Sequence, residues 1–200
     1  MRNIAIFASG NGTNAENIIK YFSNRNSAIV SLVLSNKRQA PVLKRAEAQN
    51  IRTVFFEHKE FYVTGKVLRY LLLYKIDFIV LAGFLWLVPE NIINQYAGRI
   101  INIHPALLPA YGGKGMYGDT VHKAVVESRD AESGITIHYV NNHYDKGDII
   151  FQSKVRVDPT DTPAILAEKV HALEYLHYPK IIEDLVVKLP DFLIKSAEEV

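Results

Sequence analysis

Asn102 and His104 set an amide and an imidazole two residues apart, types able to bind polar groups and move protons. They lie in the stretch Arg99-Ile100-Ile101-Asn102-Ile103-His104-Pro105-Ala106-Leu107-Leu108-Pro109. A side-chain amide can donate and accept hydrogen bonds, and an imidazole can exchange a proton near neutral pH. Side chains alternate faces along a strand, so two residues set two apart project from the same face. Pro105 cannot donate a backbone hydrogen bond and favours an end to the strand. The pattern predicts a buried strand delivering both groups at its carboxyl end, where open α/β sheets bind ligands. Taken alone, the pair would also fit a packed histidine and a turn-bridging asparagine.

A second polar cluster follows in Asn141-Asn142-His143-Tyr144-Asp145-Lys146-Gly147-Asp148. Asp is a common turn residue, and Asp148 competes with Asp145 for any acidic role. The functional reading folds Asp145 over the sheet's carboxyl end to meet His104. There it would fix the imidazole's orientation and raise its pKa. A third cluster, Gly10-Asn11-Gly12-Thr13-Asn14-Ala15, matches G-x-G-x-x-G/A between a strand and a helix. Glycines allow close backbone approach, and free amides at a helix start favour a phosphate. The second strand ends in Ser35-Asn36-Lys37-Arg38, without the carboxylate that holds the ribose of NAD. NADP remains conceivable through Lys37 or Arg38, as does a tight turn with no ligand. A monophosphate is the preferred reading.

The elements that must hold these groups read as alternating strands and helices. Strands are expected over 3–8, 28–34, 51–56, 77–82, 100–103, 134–140 and 149–157. Helices are expected over 15–22, 41–50, 59–74 (weakened near Gly65), 89–98, 121–127 and 163–187, with a glycine-rich loop over 111–118. This alternation predicts an α/β fold with a mainly parallel central sheet, helices on both faces and a more antiparallel C-terminal section. Two hundred residues suit a single domain spanning 1–200. The net charge of +2, from 23 basic and 21 acidic residues, argues against nucleic acid as a partner. The lack of cysteine removes disulfides, thiolate catalysis and cysteine-ligated zinc. No histidine sits in HExxH or another zinc spacing, so no metal is expected. No apolar run is long enough to span a bilayer, and the start has no signal-peptide pattern. Together these predict no membrane association and a cytoplasmic location.

Five segments in fixed order resemble the phosphoribosylglycinamide formyltransferase family over nearly the whole chain. They are Ser9-Gly10-Asn11-Gly12-Thr13-Asn14, Leu81-Ala82-Gly83-Phe84, Asn102-Ile103-His104-Pro105-Ala106-Leu107-Leu108-Pro109, Tyr144-Asp145-Lys146-Gly147 and Glu174-Tyr175-Leu176-His177-Tyr178-Pro179. The resemblance implies a Rossmann-like formyltransferase fold. It also implies formyl transfer from 10-formyltetrahydrofolate, a reduced folate, to the amine of glycinamide ribonucleotide in purine biosynthesis. Asn102, His104 and Asp145 fall on the family's catalytic trio, in which the Asn102 amide and a protonated His104, held charged by Asp145, would donate to the oxyanion formed at the formyl carbon. Gly12, Thr13 and Asn14 fall on its substrate-phosphate loop. His171, Ala172, Leu173 and Glu174 fall on its ribonucleotide contacts. Leu85, Trp86, Leu87 and Val88, with Asn102 and the run Asn141, Asn142, His143, Tyr144 and Asp145, fall on its folate contacts. The family is compatible with a monomer or a homodimer.

Three positions depart from the family pattern. Ala110 stands where relatives often carry Lys, and the loop over 112–118 is longer than usual. No arginine matches the folate-side one near Thr64, where Lys66 is the candidate substitute. Related chemistries share parts of this pattern. A formyltetrahydrofolate hydrolase usually carries an additional N-terminal domain, and a methionyl-tRNA formyltransferase an additional C-terminal RNA-binding one. A nucleotide-sensing module would use only the phosphate loop, and an NADP oxidoreductase would bind a dinucleotide.

Overall fold

Apolar runs become strands here because alternate side chains find a core on each side. In β1 (Arg2–Phe7), Ile4 and Ile6 enter one core while Ala5 and Phe7 enter the other. The computed structural model describes residues 1–191. The expected 1–200 unit continues past this point, and 192–200 lie outside the described residues. After β1 the chain runs through α1 (Thr13–Phe22), β2 (Ala28–Ser35), α2 (Pro41–Glu47), β3 (Arg52–Phe55), α3 (His58–Tyr62), α4 (Lys66–Leu73) and β4 (Phe78–Leu81). It continues through α5 (Glu90–Gln95), β5 (Ile100–His104), α6 (Asp119–Ser128), β6 (Glu132–Tyr139), β7 (Ile149–Arg156) and α7 (Pro163–Lys188).

The strands form one seven-stranded sheet in the order β3-β2-β1-β4-β5-β6-β7. The first five are parallel, and β6 and β7 are antiparallel. This is the expected α/β architecture. Central β4 is buried along its whole length, whereas edge strand β7 carries only half-buried and exposed residues. Among the described residues no helix is long and apolar enough to cross a membrane.

Several element boundaries differ from expectation, among them α5, which stops at Gln95, and α6, which starts at Asp119; three differences have a local reason. The helix expected over 59–74 is two helices, because Gly65 sits at φ +64° and caps the start of α4. The helix expected over 41–50 ends at Glu47, and Asn50 takes a left-handed φ of 59° on the way into β3. Helix α1 begins inside the glycine loop, at Thr13, with Gly12 as its cap at φ 78°.

Helix α7 ties the helical layer to the sheet and so places its own polar face. The buried Tyr178 hydroxyl donates to the Leu81 carbonyl at 2.9 Å, at the end of β4. Glu174 lies one turn earlier on the same face. Pro179 has no N–H, so the Tyr175 carbonyl four residues back has no helical donor. Asn17 Nδ2 donates to that carbonyl at 3.0 Å, which locks α1 onto α7. A proline inside a helix thus becomes a docking point for the helix that follows the glycine loop.

Candidate active site

A cavity of about 740 Å³ opens at the carboxyl ends of β1, β4 and β5. The glycine loop forms one wall and β5 its floor. The loop over 113–118 and the Tyr144–Asp145 turn close the far side, with α6 and α7 beside them. Asn102 and His104 both line it, as the spacing on β5 predicts. The sharp turn after His104 is held by Thr136 on β6, the register partner of His104. Its hydroxyl donates to the Ala106 carbonyl at 2.7 Å and accepts from the Leu108 N–H at 2.9 Å. These buried bonds satisfy a backbone that leaves the sheet abruptly.

His104 is 3% exposed, and its Nε2 lies 2.8 Å from the Tyr111 carbonyl. That contact places a proton on Nε2 and leaves Nδ1 as the atom able to exchange one. Nδ1 lies 3.7 Å from Asp145 Oδ2, and the same carboxylate oxygen accepts from the Gly113 N–H at 2.8 Å. Asp145 occupies a left-handed turn position, φ 53°, which Asp tolerates better than most residues. Being a turn residue and facing the imidazole are therefore compatible. The competing Asp148 is exposed and contributes its backbone carbonyl to Tyr139 N–H instead.

The electrostatics correct one expectation. Burial pushes the His104 imidazole below its ordinary pKa, outweighing the Asp145 carboxylate and the Tyr111 carbonyl, which both favour the charged form. The resting imidazole is therefore neutral at pH 7, not charged. Burial also acts on Asp145, raising it. The His138 ring and the His104 ring, each when protonated, and the Gly113 N–H outweigh that and hold the carboxyl below its ordinary value.

His138 is the residue that sequence reasoning missed. It sits on β6 directly opposite Asn102. Its Nδ1 lies 2.8 Å from the Tyr139 carbonyl, which places the proton there. Its Nε2 then accepts from Asn102 Nδ2 at 3.1 Å, and lies 3.5 Å from Asp145 Oδ1. One Asn102 N–H is used in this contact, and the other remains for the cavity. The available signal was the Thr136-Ile137-His138 spacing, a polar pair two apart on the neighbouring strand. His138→Phe should keep the fold but free the Asn102 amide to rotate. A fall of about tenfold in kcat with little change in either KM is expected from steady-state rates.

The glycine loop leaves helix-start amides without a partner in the helix, an arrangement that suits an anion. The first bond within α1 runs from Glu16 N–H to the Gly12 carbonyl, so the amides of residues 13–15 have no partner in the helix. The Glu16 carboxylate next to them is neutralised by Lys20 and Arg45. Gly12, Thr13 and Asn14 all line the cavity. Val42 N–H donates to the Gly10 carbonyl at 3.3 Å, which braces α2 against the loop. Arg38 stacks over Phe55, 4.3 Å from the ring centroid. The β2 end, where a dinucleotide's second half would lie, is instead occupied by an Asn36 side chain that accepts from the Ser9 hydroxyl at 2.7 Å.

The remaining expected contacts divide into two groups. Glu174 and His171 line the cavity. Glu174 is 4% exposed, and its Oε2 accepts from Asn14 Nδ2 at 2.8 Å and pairs with His171 Nδ1 at 2.9 Å. Ala172 and Leu173 do not line it: Ala172 is exposed and Leu173 packs against the core. Leu85 and Tyr144 line it, but Trp86, Leu87, Val88, Asn141, Asn142 and His143 do not. Trp86 joins Phe56, Phe61 and Phe84 in an aromatic cluster, and Val88 is buried in the core. The Leu87 carbonyl accepts from Tyr62 at 2.7 Å, and Asn141 Oδ1 accepts from His143 N–H at 2.9 Å. Lys66 is paired with Glu60 and stands outside the cavity lining. Among the described residues no group of three or more His, Cys, Asp or Glu side chains could hold a metal ion.

Residues 2–182 match the formyl transferase family model. The chain is 40% identical over 187 residues to a chloroplastic phosphoribosylglycinamide formyltransferase of Arabidopsis thaliana, covering 90% of this chain and 64% of the plant protein. It is 36% identical over 191 residues to the phosphoribosylglycinamide formyltransferase of Bacillus subtilis, covering 93% and 95% of the two chains. The crystal structure of the enzyme of that name from Bacillus halodurans superposes with a TM-score of 0.84 at 34% identity, covering 98% of this chain and all (100%) of that one. The corresponding structure from Anaplasma phagocytophilum gives a TM-score of 0.85 at 31% identity, covering 94% and 87%.

Proposed function

The chain belongs to the formyl transferase family, and from that premise we propose that it moves the formyl group of 10-formyltetrahydrofolate onto the amine of glycinamide ribonucleotide. The convergence of Asn102, His104 and Asp145 on one cavity, with an anion-binding loop across from them, supports this reading most. The relatives named phosphoribosylglycinamide formyltransferase support the choice of substrate. A single domain is part of the reading.

The nucleophile is the substrate's own amine, so the protein needs to supply only charge stabilisation and proton movement. As the amine attacks the formyl carbon, the carbonyl oxygen gains negative charge. The second Asn102 N–H donates to it, and His138 prevents the amide from turning away. The amine becomes cationic as the bond forms. Neutral His104 takes its proton at Nδ1. The resulting imidazolium is held between the Tyr111 carbonyl and the Asp145 carboxylate. It then returns the proton to the folate nitrogen as the old carbon–nitrogen bond breaks, directly or through water. Burial, which keeps the imidazole neutral at rest, prepares it to accept that proton.

The amides of residues 13–15 take the phosphate, and Leu85 and Tyr144 flank the folate side. Glu174 accepts hydrogen bonds from the ribonucleotide beside the phosphate loop, because its partner Asn14 belongs to that loop. The test is formyl transfer by purified protein with both substrates, with a second reaction lacking the amine. Formylated ribonucleotide and tetrahydrofolate are expected only in the complete mixture. Formate release at the same rate without the amine would make the protein a hydrolase and overturn the proposal. In the same assay, Glu174→Gln should raise the ribonucleotide KM about tenfold or more while sparing the folate KM.

A further inference from the structure

His122 on α6 is a buried histidine of the same cavity that the proposed reaction does not use. It is 1% exposed, and neither ring nitrogen has a hydrogen-bond partner among the described residues. Asn14 Oδ1, in the phosphate loop, is also buried without one. Both residues line the cavity. The His122 ring meets that of His171 edge-on, with centroids 6.2 Å apart, and His171 in turn pairs with Glu174. Buried histidines normally satisfy at least one nitrogen, because a neutral imidazole always carries both a donor and an acceptor. Here both nitrogens lack a partner among the described residues and face a cavity able to supply one.

Resting on the assignment of this cavity to a ribonucleotide, we propose that His122 binds a ribose hydroxyl of the substrate and sets the preference for an intact sugar. The surroundings favour a hydroxyl over the phosphate. Glu174 and Asp119 face His122 with negative charge, while His104 and His171 are its other titratable neighbours. A phosphate dianion would meet the Glu174 carboxylate there, and the amides of residues 13–15 already offer it a better place. Burial pushes the His122 imidazole below its ordinary pKa, so the ring is neutral at pH 7. A neutral ring with one N–H and one lone pair matches a hydroxyl, which also donates and accepts. The unpartnered Asn14 Oδ1 can accept from the adjacent hydroxyl of a vicinal pair.

The direct test follows the histidine ring nitrogens of the wild-type protein by NMR during titration with ribose 5-phosphate. The His122 resonances should shift with ribose 5-phosphate and stay in place with inorganic phosphate alone. No shift at saturating ribose 5-phosphate would overturn the inference, as would an equal shift with inorganic phosphate. Kinetics provide the second arm. His122→Phe should raise the ribonucleotide KM about tenfold, leave kcat within about twofold and spare the folate KM, and His122→Gln should recover most of the loss. Wild type should discriminate against 2′-deoxy or 3′-deoxy substrate, and the Phe variant should discriminate less. An unchanged KM and unchanged discrimination in a folded Phe variant would leave the ring only a packing role between α6 and α7. If His122 shifts but wild type transfers no formyl group, the proposed function fails while the sugar site stands. If transfer occurs and His122 does not respond, the reverse holds.

Discussion

Asp145→Asn should lower formyl transfer by about 10²-fold or more while leaving ribonucleotide and folate KM nearly unchanged. The substitution keeps the shape of the side chain and removes its charge. Its main effect is not on resting His104, which burial already keeps neutral. The loss falls on the imidazolium formed as the amine gives up its proton. Asp145 lies 3.7 Å from His104 Nδ1, within a buried site where a charge is weakly screened. The sign of the pH effect follows. Transfer through neutral His104 requires the ring unprotonated, so the acid limb of kcat/KM lies below the ordinary histidine value of about 6.5. Removing the carboxylate removes an influence that raises the His104 pKa, so the limb should move to still lower pH as the plateau falls. Rates from pH 5 to 8, with an NMR titration of His104, measure both. An unchanged plateau and an unmoved limb would make Asp145 an ordinary turn residue.

The second large effect is expected at Gly12, and the structure changes its cause. Read from the loop motif, a side chain at Gly12 should obstruct the phosphate. In the folded protein, a Cβ there would lie 2.4 Å from Val42 Cβ and 2.8 Å from Val42 Cα. The Cα belongs to the backbone of α2 and cannot rotate away. The position also sits at φ +78°, unfavourable for an L side chain by roughly 1–2 kcal/mol. Overpacking adds about 1–3 kcal/mol, so Gly12→Ala should destabilise the protein by about 2–5 kcal/mol. For a chain of this size that is a fall of roughly 5–15 °C in Tm, accompanied by weaker ribonucleotide binding as the loop is displaced. Gly10→Ala is the control. Nothing lies within 4 Å of its Cβ position, so it should keep the wild-type Tm. Equal melting temperatures for both variants would show that the Gly12 backbone is not held against α2.

The two faces of β5 and the two faces of β6 show how far local pattern reaches. Asn102-Ile103-His104 and Thr136-Ile137-His138 are equivalent spacings, and each predicts a polar pair on one face of a strand. Only strand pairing places Asn102 opposite His138 and His104 opposite Thr136. One pair is thereby assigned to the cavity, while the other supports it from the neighbouring strand. The choice between Asp145 and Asp148 has the same character. Both are turn residues by type, and the left-handed backbone at Asp145 aims only that carboxylate at His104.

Alternation of apolar runs with Gly and Pro determined by itself the α/β class, the mainly parallel sheet and the placing of the glycine loop and Asn-Ile-His at strand ends. Those features depend on side-chain period and backbone permissiveness, which are local. The tertiary structure alone decided the charge of His104, the bracing of Asn102 by His138 and the burial of His122 without a partner. It also decided which of the expected folate-contact residues face the cavity. Each of these depends on desolvation and on groups brought together from distant parts of the chain. Asp145 is adjacent in sequence to neither His104 nor Gly113, yet it touches both sides of the site. The spacing of a strand can set the direction of an imidazole, but only the packed surroundings set its proton affinity.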